Sequence, residues 1–229
     1  MEIYKQAKSL ALYERAKKVI PGCPYCRDGG MYGHYSTSVS ARGNPVYFSK
    51  SCGSRFWDID GNEYIDYMCA YGPMILGYNN PVVDKAARDQ YEKGNTVSLA
   101  SPVMVELDEM LVNMVSIADW AFFAKNGADP TNLSIMVARA ATGKKKIIVV
   151  EGGYHGSSPW MQEPGSGGTI EEDRANVISV PWNDFEKFEA AVNSNDGQIA
   201  GFISTSYHHP VIFDNEMPAE GYWKKIEAL

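Results

Sequence analysis

The stretch "FFAKNGADPTNLSIMVARAATGKKKIIVVEGGYHG", residues 122–156, decides the reading of this chain. A hydrophobic run, expected as a strand over 119–124, ends in the small polar loop Asn126-Gly127-Ala128-Asp129. Asp129 is the expected N-cap of a helix over 130–142, and Pro130 suits its first turn, where a missing N–H costs nothing. A second apolar run over 146–150 reads as a buried strand and leads to Tyr154-His155-Gly156. A helix N-terminus offers unpaired N–H groups and the positive end of the helix dipole, so it attracts phosphate. Gly127 and Ala128 lack bulk and let an anion approach the backbone. An ordinary strand-to-helix loop explains the same residues, and a Tyr and a His packed under a loop explain the second site. What joins the two is position, because ligands of open parallel sheets sit beyond the carboxyl ends of the strands. An aromatic ring beside a phosphate site stacks on a flat molecule. A planar phosphorylated ligand is the one both sites share.

Working outward, strands are expected over 176–180 and 198–204 and helices over 183–193 and 217–229. Strands alternating with helices predict a parallel sheet covered on both faces. Upstream, an amphipathic helix over 3–19 ends at Pro21-Gly22, and a long Gly-, Ser- and Tyr-rich loop runs over 22–45. "SRFWDIDGNEYIDY", residues 54–67, reads as a hairpin around Asp60-Gly61. Asp58 and Asp60 flank that turn, where Asp is favoured for local hydrogen bonding. A glycine-punctuated stretch over 71–81 follows, then helix patterns near 82–94 and 102–115. The chain divides into an N-terminal segment of helix, loop and hairpin, residues 1–78, and an α/β segment, residues 79–229.

The 229 residues, 45% of them hydrophobic, suffice for a sizeable core. A net charge of −7 argues against a generic nucleic-acid or anionic-membrane surface. No apolar run approaches the roughly 20 residues that span a bilayer, and the charged N-terminus is no signal peptide, so a cytoplasmic protein is expected. Cys23 and Cys26 form C-P-Y-C, but no second ligand pair stands at zinc-site spacing. His208-His209 lack a third ligand, so no metal is expected there either.

With these residues in view, the chain resembles the class III, fold-type I aminotransferases that use pyridoxal 5'-phosphate, and glutamate-1-semialdehyde 2,1-aminomutases among them. The stretches that carry the resemblance are "GSRFWDIDGNEYIDY", "YGPMILGYNNP", "KNGADPTNLSIMVARAATGKKKII", "EGGYHG" and "IAGFISTSYHHP". It implies an incomplete large domain over 79–229, with a mostly parallel, helix-covered sheet. It also implies transamination or aminomutase chemistry on a small amino acid or amino ketone, in a homodimer. By this resemblance Asn126, Gly127 and Ala128 cradle the phosphate, Tyr154 stacks on the pyridine ring with His155 beside it, and Tyr71 and His208 line the substrate side.

The chain departs from the family pattern in three ways. Thr205-Ser206 stand where a Glu-Pro pair is usual. The position implied for an Arg on the substrate carboxylate falls at about Ser36, with Arg42 nearby. The lysine that bonds the cofactor and the acid on the pyridine nitrogen are implied beyond Leu229, so no catalytic residue is assigned here. The sequence is therefore expected to continue past Leu229. The alternative is a truncated, non-catalytic chain that at most binds cofactor or a partner subunit.

Overall fold

The computed structural model describes residues 4–20, 40–41, 44–45, 47–209 and 214–229, and of Ser40, Ala41, Asn44, Pro45 and Tyr71 the backbone only. The C-P-Y-C pair, Ser36 and Arg42 lie outside the described residues. Two compact units divide the chain, Met1–Ala100 and Ser101–Leu229.

In the first unit, helix α1 (Ala7–Ala16) and a two-residue ladder of β1 (Ser40–Ala41) with β2 (Asn44–Pro45) precede an antiparallel sheet. Its strands β3 (Phe48–Cys52), β4 (Arg55–Asp58) and β5 (Glu63–Ile65) lie in chain order. The expected hairpin is β4–β5, with Arg55 opposite Ile65 and Trp57 opposite Glu63. Buried Asp58 organises its turn by accepting hydrogen bonds from the amides of Asp60 and Asn62, from Asn62 Nδ2 and from the Tyr64 hydroxyl.

Asp60 reaches further than local turn chemistry. Gln6, which precedes α1, makes no side-chain cap. Asp60 supplies one from the hairpin tip instead, accepting from Lys8 N at 2.7 Å and Ser9 N at 2.8 Å. Asn62 adds a two-way bond with the backbone of Lys5. Burial alone would raise the Asp60 carboxyl. The nearby Ser9 hydroxyl and the amide hydrogen bonds from Lys8 and Ser9, with the Lys8 charge, hold it below its ordinary value. A depressed carboxylate contributes its stability above the unfolded value and loses it as pH falls through the folded one, so the cap is intact at neutral pH and fails only in acid, below about pH 4. Asp60→Ala is expected to cost about 1 kcal/mol and to speed amide exchange at Lys8 and Ser9 at neutral pH. Unchanged exchange at both amides would show that Asp60 does not hold α1. Helix α2 (Pro81–Lys93) completes the unit, capped by Asn80, which accepts from the amides of Val82 and Val83.

The second unit opens with α3 (Pro102–Met114). The strand expected over 119–124 does not form. The run carries no regular secondary structure, among the described residues no strand pairs with it, and Phe122 and Phe123 are exposed. A strand is a paired object, and apolar residues without a neighbouring ladder do not make one. Helix α4 (Ala128–Thr142) follows and ends at Gly143, whose left-handed φ of 68° lets its N–H return to the Arg139 carbonyl.

The expected parallel sheet is present. Strands β6 (Lys146–Val150), β7 (Val177–Val180) and β8 (Ile199–Ile203) lie in the order β7-β6-β8, both pairings parallel. The central strand reads Ile-Ile-Val-Val because both its faces are covered. Ile147 and Val149 pack with Ile135 of α4 on one face, while Ile148 packs with Val180 and with Phe188 of α5 (Phe185–Asn193) on the other. Helix α6 (Tyr222–Ala228) joins that second face through Ile226. It is shorter than the 217–229 expected. Asn183 accepts from the Ala219 amide and donates to the Met217 carbonyl, which ties the preceding residues into a turn.

Candidate active site

The start of α4 is built around Asn126. Its Oδ1 accepts from Ala128 N at 2.9 Å and Asp129 N at 3.2 Å, and its Nδ2 donates to Asp129 Oδ2 at 2.9 Å. The expected cap at Asp129 is therefore corrected: the N-cap position is Gly127, and the Asn126 side chain just before it bonds the first amides of the helix. The helix starts at Ala128, which puts Asp129 inside its first turn, and an Asn side chain bonds readily to a backbone N–H two residues on. Gly127 and Ala128 present nothing larger than a methyl group.

Strand β6 ends in a turn closed by Gly153 N donating to the Val150 carbonyl, and the chain then enters Tyr154-His155-Gly156. Gly156 sits at φ 130°, in a region that side chains disfavour. A Cβ on it would lie 2.8 Å from Ala128 Cβ and 3.0 Å from Ala128 Cα. This close approach brings the segment after β6 against the first residue of α4. The expected phosphate turn and the Tyr-His pair thus lie at one junction of the second unit.

Tyr154 is 53% exposed. His155 is half-buried, and its Nε2 is buried without a hydrogen-bond partner. Burial, and then the His209 charge, lower its pKa, so it stays neutral near pH 7. His208 approaches the end of β6, where a Cβ on Gly152 would stand 3.8 Å from its Cε1. Its ring stacks on Trp182 at 5.9 Å, and its backbone pairs with Glu216. Tyr71 belongs to the first unit, in a short 3₁₀ turn in which Cys69 and Ala70 both take left-handed φ values, 48° and 50°.

The family model for class-III aminotransferases matches residues 37–195. The chain belongs to the class-III aminotransferases. The aminopentol aminotransferase of Sphingopyxis macrogoltabida is 43% identical over 206 residues, which cover 90% of this chain and 47% of that protein. The 3-aminobutyryl-CoA aminotransferase of Cloacimonas acidaminovorans is 34% identical over 235 residues, 100% of this chain and 53% of that one. A glutamate-1-semialdehyde 2,1-aminomutase of Methanothrix thermoacetophila is 32% identical over 96% of this chain and 51% of its own. Among solved structures, the FumI protein of Sphingopyxis sp. MTA144, in its PLP internal aldimine form, matches with a TM-score of 0.85. It has 40% identity and covers 95% of this chain and 50% of that one. An omega-transaminase from Sphaerobacter thermophilus shares the fold, at a TM-score of 0.83 and 23% identity over 96% of this chain and 51% of that one. The fold is the expected α/β one of the fold-type I aminotransferases, and this class-III chain spans about half the length of the relatives it matches.

Two residues at the junction escape a motif-based reading of this aminotransferase chain. Trp160, on the 3₁₀ turn Pro159–Met161, donates from Nε1 to Asn132 Oδ1 at 2.7 Å and stacks on His155. A cavity of about 290 Å³ lies on this side, between the ends of β6 and β7, lined by Glu151, His155, Trp160, Met161, Arg174 and Ser179 among others. Neither Tyr154 nor residues 126–128 line it, so it is not the space between the phosphate turn and the tyrosine.

Proposed function

We propose that the protein is a pyridoxal 5'-phosphate-dependent aminotransferase that moves an amino group between small-molecule donors and acceptors, as a cytoplasmic homodimer. The observation that carries this reading is the contact of Gly156 with Ala128, which gathers the expected phosphate turn and the Tyr154-His155 pair. The residues there fit the cofactor. Gly127 and Ala128 clear the backbone at the start of a 15-residue helix, where an anion is favoured. Tyr154 has an aromatic ring open enough to stack on a flat heterocycle. When bound, the cofactor supplies an electron sink for bonds at the substrate carbon.

In this reading Gly127 and Ala128 hold the phosphate, and Asn126 yields the Ala128 amide to it. Tyr154 orients the ring, and neutral His155 adds no charge beside it. Tyr71 and His208 are assigned to substrate binding, and residues 79–229 to part of the cofactor-binding domain. Among the described residues none is assigned as the cofactor-bonding lysine or as the acid on the pyridine nitrogen. The names of the relatives, aminopentol and 3-aminobutyryl-CoA aminotransferases, favour an amino group that is not α to a carboxylate.

Titration of the full-length protein with pyridoxal 5'-phosphate, followed by visible circular dichroism, tests the reading. Saturable binding is expected, weakened on the order of tenfold in Tyr154→Leu by loss of stacking. Absence of a bound-cofactor signal would reject it. Binding without amino transfer to any keto acceptor would favour the non-catalytic alternative.

A further inference from the structure

The segment carrying Tyr154 and His155 is held from behind by a side-chain relay. Trp160 is fixed at two points, because its Nε1 donates to Asn132 Oδ1 at 2.7 Å and its carbonyl accepts from Arg174 at 2.9 Å. Asn132 is oriented in turn, since its Nδ2 donates to Ser158 Oγ at 2.7 Å. That leaves its oxygen facing the indole. The anchored indole lies nearly parallel to the His155 ring, 15° between planes and 6.5 Å between centroids, within the range of offset aromatic pairs. His155 has no hydrogen bond at its buried Nε2, and the Trp160 indole stacks on the ring.

Asn132 stands about one turn along α4 from Ala128. The helix whose first residues form the proposed phosphate turn therefore also carries the anchor of the relay. A ring-stacking residue and a phosphate turn act together only if their separation is constant, and a shared rigid helix makes it so. The close approach of Gly156 to Ala128 is a second restraint at the same junction.

We propose that Trp160, anchored by Asn132, is a positioning residue for the cofactor: it fixes the His155 ring and so holds Tyr154 in register with the 126–128 turn. The inference rests on the aminotransferase reading above. Neither residue is assigned to contact the cofactor.

The test uses full-length protein with ¹³C-labelled histidine and the variants Trp160→Leu, Trp160→Phe, Asn132→Leu and Asn132→Asp. The His155 ring signal is identified by its loss in His155→Gln. In Trp160→Leu it is expected to shift as the indole ring current disappears, and in Asn132→Leu as the indole loses its anchor. The dissociation constant for pyridoxal 5'-phosphate, and for pyridoxamine 5'-phosphate, is expected to rise on the order of tenfold in both. Asn132→Asp keeps the acceptor and is expected to restore the wild-type value, which a general loss of stability would not do. Trp160→Phe keeps a stacking ring without the Nε1 donor and should fall between. An unmoved His155 signal in Trp160→Leu overturns the proposal, as does wild-type cofactor affinity in both leucine variants. Wild-type protein that binds neither cofactor form overturns the functional reading instead, a result distinct from tight binding that ignores Trp160.

Discussion

Gly156→Ala is expected to destabilise the second unit by about 3 kcal/mol and to remove cofactor binding. The added methyl would meet Met161 Sδ at 2.7 Å, Ala128 Cβ at 2.8 Å and Ala128 Cα at 3.0 Å. The Met161 thioether can rotate away. Ala128 cannot, because its Cα belongs to the first turn of α4. The backbone at φ 130° also resists any side chain, so relaxation must separate the segment after β6 from the helix. Even a small separation pulls Tyr154 out of line with the 126–128 turn. Urea unfolding and cofactor dichroism check both halves of the expectation. A variant with wild-type midpoint and wild-type affinity would show that the close contact is dispensable.

Ile148→Ala is expected to cost about 2–5 kcal/mol. Ile148 is 0% exposed at the middle of the central strand and packs with Val180 and Phe188. Its neighbours come from two strands and from α5, so the cavity cannot close without moving whole elements. Domains are stable by only about 5–15 kcal/mol, so the variant should melt well below the parent. Ile148→Val removes one methylene and should cost about 0.5–1.5 kcal/mol. Equal midpoints for the Ala and Val variants would mean that this face of the sheet is loosely packed.

Much of the second unit was legible because its signals are local. β6 announces itself by four apolar residues between Lys146 and Glu151, and α4 by helical spacing closed with Gly143. The misreadings fall where a residue's role depends on distant chain. Residues 119–124 have the composition of a strand, but pairing is decided by a neighbour that no local pattern names. Asp129 has the chemistry of a cap, but the helix starts at Ala128, and the Asn126 side chain bonds its first amides instead. Asp60 looked like a turn residue and also caps a helix about 50 residues earlier. Of the junction, the turn 126–128 and the pair Tyr154-His155 carried motifs. The bond between Trp160 and Asn132 spans 28 residues and leaves no trace in spacing.

The order β7-β6-β8 also governs how the chain is made. β6 is the strand that both others need, and it is synthesised first, as the run Ile147–Val150. Its partners begin only at Val177 and Ile199. At ribosomal rates of about 5–20 residues per second, the most apolar strand of the unit waits on the order of seconds without a ladder. No hairpin shortens the wait, because parallel strands cannot pair through a tight turn. Nascent chains of this protein should therefore engage holding chaperones from the emergence of β6 until β8 has cleared the ribosome.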